Sequence, residues 1–87
     1  MNRRVVVTGM GTISPVGLNV PTAWEALKAG KSGVGRITAF DPSPFKTQIA
    51  AEVKGFDPTK FMDAKEARRL DPYIHFAWAA TVEALAD

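Results

Sequence analysis

The final stretch of the chain restricts the fold more than any other feature. A helix is read from Tyr73 to about Ala86, begun after the Asp71-Pro72 break. Its apolar side chains (Ile74, Phe76, Ala77, Trp78, Ala79, Ala80, Val82 and Leu85) fall on nearly every face. A helix that is apolar all round is a buried helix. The chain has only 87 residues, and below ~100 residues a core offsets chain entropy by little. Something outside the visible parts must therefore cover this helix.

The opening points the same way. Arg3-Arg4-Val5-Val6-Val7-Thr8 is a β-branched run without alternation, closed by Gly9. Such runs belong to strands buried on both faces, as in parallel sheets, so residues 3–8 are expected to form one. A parallel strand needs neighbours, and only one further strand is credible: Gln48 to Lys54, where Ile49, Ala51 and Val53 alternate with polar positions and predict a half-buried face. The parts suit the opening piece of a larger α/β domain, with residues 1–87 incomplete as a unit. A compact, self-sufficient domain is the alternative.

Between these elements the signals are local. Gly9 to Gly17 holds three glycines and Pro15, the mark of a shaped loop. A helix is predicted to start between Asn19 and Thr22, with Thr22 and Glu25 at capping-box spacing, and to stop at Gly30. Residues 30–48 carry turn signals and read as ordered surface loop. Asp57-Pro58 opens a helical turn through Phe61, with Asp as cap and Pro at the first helical position. Asp63 and Glu66 start a short helix to about Leu70, which Asp71-Pro72 ends before the last helix begins.

Several chemistries are excluded by what the sequence lacks. Without cysteine there is no disulfide, no thiolate metal site and no thiol nucleophile. A single histidine cannot build a His-rich metal site, and no metal or organic cofactor is expected. No apolar run approaches the ~18 residues of a membrane span, and Arg3-Arg4 before three valines is not a signal peptide. A cytoplasmic location is the expectation. The net charge of +2 is weak and scattered, which argues against nucleic acid as a partner.

Val5 to Gly11 resembles the start of a dinucleotide fingerprint, a strand followed by G-x-G. However, Ser14 stands at the third glycine position, Pro15 follows it, and helix onset is delayed to about residue 20. No helix terminus then faces a pyrophosphate, so a structural turn is the better reading. Hydroxyls at Thr8, Thr12 and Ser14 have no base to activate them. His75 reads as a satisfied core or edge residue, with Asp71 one turn earlier as its acceptor.

Lys65, Arg68 and Arg69 form the sharpest local cluster. Spaced i, i+3 and i+4, they share one helix face, while Ala64, Ala67 and Leu70 fall on the other. Three cations on a ridge suit a phosphate or an acidic helix. A solvated face partly neutralised by Asp63, Glu66 and Asp71 is the better reading from the charges by themselves.

The run from Arg4 through Thr8-Gly9-Met10-Gly11-Thr12-Ile13-Ser14-Pro15-Val16-Gly17 resembles the opening of the β-ketoacyl-acyl-carrier-protein synthases, the condensing enzymes of fatty acid biosynthesis. Trp24 to Gly33, Phe40-Asp41 and Lys65 to Asp71 leading into Tyr73-Ile74-His75-Phe76 are similar to the segments that follow in that family. The likeness covers nearly the whole chain and favours the elongating synthase II branch. It implies the N-terminal portion of a thiolase-like, five-layered α/β/α/β/α fold, a homodimeric acyltransferase, and substrates carried on acyl carrier protein. It also implies that the catalytic Cys-His-His set lies downstream. His75 matches neither catalytic histidine, so no residue of this chain is assigned catalysis. Residues matching Lys65, Arg68 and Arg69 belong, in the bacterial synthases, to the patch that docks the acidic helix of acyl carrier protein. A stand-alone carrier-protein-binding or dimerising module is the rival reading.

Overall fold

The computed structural model describes residues 2–87 and contains three α-helices, one 3-10 turn and a two-stranded sheet. Helix α1 spans Val20–Lys28, strands β1 and β2 span Val34–Arg36 and Ile49–Ala51, and a 3-10 turn covers Pro58–Lys60. Helices α2 (Ala64–Arg69) and α3 (Pro72–Ala86) complete the chain. None of the described helices is long and apolar enough to cross a membrane.

Capping sets the helix boundaries. Asn19 accepts a hydrogen bond from the Thr22 amide at 2.8 Å and starts α1. The predicted Thr22–Glu25 box is thus displaced by a cap three residues earlier, because Pro21 at the first turn suits a start at Val20. Gly30, with φ of 71°, ends α1. The Lys31 and Gly30 amides reach back to the carbonyls of Ala26 and Leu27, which is a Schellman closure. Asp57 caps the 3-10 turn and Asp63 caps α2, as the sequence predicts.

Strand pairing departs from expectation in three places. Residues 3–8 form no strand, and Val5 is 94% exposed. The run is β-prone, but a strand exists only when a neighbour completes its ladder, and the described residues provide none. The single sheet is antiparallel, Val34 opposite Ala51 and Arg36 opposite Ile49, so β1 lies inside the stretch read as loop. Ile49 and Ala51 face outward, the reverse of the predicted half-buried face. Glu52, next after β2, accepts hydrogen bonds from the Thr38 hydroxyl (2.9 Å) and the Thr38 and Ala39 amides, tying the loop after β1 to the sheet. The Thr38 hydroxyl, followed by its amide, holds the Glu52 carboxyl below its ordinary range.

Helix α3 has the predicted bounds but not the predicted burial. Tyr73, Trp78 and Leu85 are exposed, and only His75 and Ala79 of this helix are buried. What it does cover is the glycine loop. A Cβ on Gly9 would collide with the Ala84 carbonyl, and one on Gly11 with the Ala80 carbonyl, so the loop backbone lies directly on the small-residue side of α3. Glu83 fixes this contact: its two carboxylate oxygens accept from the Thr12 amide at 2.9 Å and the Val20 amide at 2.8 Å. One side chain thereby joins α3, the glycine loop and the first turn of α1. The amide at a helix start is otherwise an orphan donor, and the carboxylate also complements the helix dipole there.

Candidate functional site

Helix α2 presents the cations. Asp63 accepts from the Glu66 amide at 2.8 Å, which fixes the start of a helix only six residues long. Ala67 is buried and Leu70 half-buried, while Ala64 of the predicted inner face is exposed. The buried side sets the rotation of the helix, and Lys65, Arg68 and Arg69 stand exposed on the other side as the spacing predicts. Arg68 and Arg69 also lie in the last turn, where cations are favoured by the helix dipole.

Neutralisation of this ridge is slight. Arg69 Nη1 lies 3.6 Å from Glu66 Oε1, a solvent-exposed pair and one that contributes little. Lys65 and Arg68 form no ion pair among the described residues. Asp63 is committed to its capping bond and Asp71 stands exposed at the start of α3. Of the three acids the sequence offers as neutralisers, only Glu66 engages a cation. Two of three cations are thus open to a partner.

His75 is buried, with Nε2 2.8 Å from the Ala67 carbonyl oxygen. A carbonyl can only accept, so Nε2 carries the hydrogen. The acceptor is Ala67 and not Asp71 as the sequence suggests, because α3 turns the ring back toward the end of α2. Nε2 is thereby engaged in a hydrogen bond that joins α3 to the end of α2.

An open apolar groove lies between the glycine loop and α1, lined by Met10, Gly11, Val20, Trp24 and Leu27. It offers no carboxylate, imidazole or amine. Sequence reasoning missed Glu83 as an organiser of that region, although it is the only formally charged residue between Tyr73 and Ala86. A lone carboxylate in an otherwise apolar helix needs donors, and the adjacent loop amides supply them.

Comparison with known proteins adds relatives to this geometry. Residues 2–87 match the family described as Beta-ketoacyl synthase, N-terminal domain. The chain is 52% identical over 85 residues to the 3-oxoacyl-(acyl-carrier-protein) synthase 2 of Coxiella burnetii, covering 98% of this chain and 20% of that relative. It is 51% identical over 85 residues to the protein of the same name from Vibrio cholerae, with the same coverage. It is 43% identical over 86 residues to that of Staphylococcus aureus, covering 99% of this chain and 21% of the relative. The chain spans about a fifth of the length of these curated relatives.

Proposed function

The chain belongs to the β-ketoacyl synthase family, and on that premise we propose that it is the N-terminal portion of a 3-oxoacyl-acyl-carrier-protein synthase 2, incomplete as a catalytic unit. The carrying observation is the match over residues 2–87 together with relatives of one name that are about five times longer. In this reading the whole protein is a cytoplasmic homodimer with the five-layered α/β/α/β/α arrangement, and the valine run and α3 become interior parts of it. The relatives' names specify synthesis of a 3-oxoacyl group on acyl carrier protein, and substrates carried on the same protein follow in this reading.

The reaction proposed for the whole protein is a decarboxylative Claisen condensation. An acyl group passes from its carrier to a cysteine thiolate, malonyl-carrier protein loses carbon dioxide to give a carbanion, and the carbanion attacks the acyl thioester, expelling the thiolate. Covalent catalysis of this type requires the nucleophile and its activating groups in one site. This chain has no cysteine, and its one imidazole is bonded to Ala67. Its own contribution is recognition: Lys65, Arg68 and Arg69 meet the acidic helix of acyl carrier protein. Charges at an interface rim mainly raise the association rate, which suits a carrier that must arrive, deliver and leave.

The test is product formation. The full-length protein, given acyl- and malonyl-carrier protein, is expected to release carbon dioxide and form the 3-oxoacyl product. Residues 1–87 alone are expected to release none and to acquire no acyl group. Acylation of the short chain would overturn the proposal, as would a full-length protein that fails to condense.

A further inference from the structure

We propose that His75 is a positioning residue for the cationic ridge, its Nε2–H closing the C-terminal end of α2 and holding Lys65, Arg68 and Arg69 where a carrier protein meets them. The inference rests on the docking reading of that ridge and adds to it the group that keeps the ridge in place. Helices shorter than ~12 residues are marginal on their own, and α2 has six. Its start is fixed by Asp63. Its end lacks the usual closure, because the last carbonyls of a helix have no partner within it.

At the Ala67 carbonyl the regular partner would be the Asp71 amide. Leu70 and Asp71 are both extended, with ψ of 147° and 155°, and the chain leaves the helix before that bond forms. The Leu70 amide reaches the carbonyl only at 3.4 Å. His75 Nε2 lies at 2.8 Å and is the short, buried contact. A histidine on the following helix therefore supplies the closing donor, as basic side chains near helix ends can. Ala67 also carries the buried side of α2, so the same residue anchors the helix by packing and by hydrogen bond. Arg68 and Arg69 follow it directly and inherit its placement.

The experiment uses the full-length synthase with His75→Phe, which keeps a ring but removes the donor, and His75→Gln, which retains an N–H. The KM for malonyl-carrier protein is expected to rise about three- to tenfold in His75→Phe, with kcat unchanged, and to recover in His75→Gln. Amide exchange over residues 64–70 should accelerate in His75→Phe alone. In unsubstituted protein the His75 ring should give a slowly exchanging Nε2–H resonance, a readout that needs no variant to fold. The joint Lys65, Arg68 and Arg69 replacement by glutamate serves as the reference arm. If it raises KM while His75→Phe does not, docking stands and the positioning role is overturned. If His75→Gln is as impaired as His75→Phe, or the ring hydrogen sits on Nδ1, the role is overturned as well. If the reference arm leaves KM unchanged, the docking reading falls and takes this inference with it.

Discussion

Replacing Lys65, Arg68 and Arg69 together by glutamate in the full-length protein is expected to raise KM for carrier-protein substrates roughly thirty- to hundredfold, about 2–3 kcal/mol. Each exposed pair with an acidic helix contributes little alone, on the order of 0.5 kcal/mol, and reversal replaces three attractions by three repulsions of similar size. The effect should shrink as ionic strength rises, since exposed charges are screened beyond ~8 Å at physiological salt. Singly, Lys65→Glu and Arg68→Glu should exceed Arg69→Glu, because Arg69 alone already has a carboxylate beside it. Stopped-flow association at several salt concentrations reads this directly. An unchanged KM with an unchanged salt slope would remove docking from α2.

The second large effect concerns the glycine loop. Gly11→Ala is expected to destabilise the full-length protein by about 3 kcal/mol, the upper end for overpacking. The new methyl would lie 2.8 Å from the Ala80 carbonyl carbon and 3.0 Å from the Ala84 amide nitrogen, both backbone atoms that no rotamer change can move aside. The loop would have to lift from α3, stretching the Thr12–Glu83 and Val20–Glu83 hydrogen bonds. In the full-length protein a loss of this size lowers Tm by several °C, on the order of 2–4 °C per kcal/mol or less. Gly35→Ala is the control, since a methyl there meets nothing within 4 Å and should stabilise by about 0.5 kcal/mol through the unfolded state. Equal melting of the two variants would contradict the loop-on-helix packing.

The contrast between those glycines shows how much of the molecule the sequence makes legible. Caps and breakers act within a few residues, so Asp57, Asp63, Gly30 and Asp71-Pro72 mark their boundaries without knowledge of the fold. Strand β1 depends on Ala51 and Ile49, some fifteen residues away, and nothing in Val34-Gly35-Arg36 announces it. The valine run has the composition of a strand, but pairing is a property of two segments and composition describes one. The cation ridge was legible because a helical repeat places three side chains on one face, whatever surrounds it. Its anchor was not, because the His75–Ala67 contact joins two helices across a break. For α3 the pattern specified apolar surface correctly and left open which polypeptide covers it.

Under the proposed function, the valine run and α3 are interior elements of a longer synthase. Amide hydrogen exchange, run in parallel on the 87-residue chain and on the full-length protein, tests it most directly. Residues 4–8 are predicted to exchange at nearly unprotected rates in the short chain and to be among the most protected in the long one, with α3 gaining protection in parallel. Equal protection of these segments in both proteins would contradict the account.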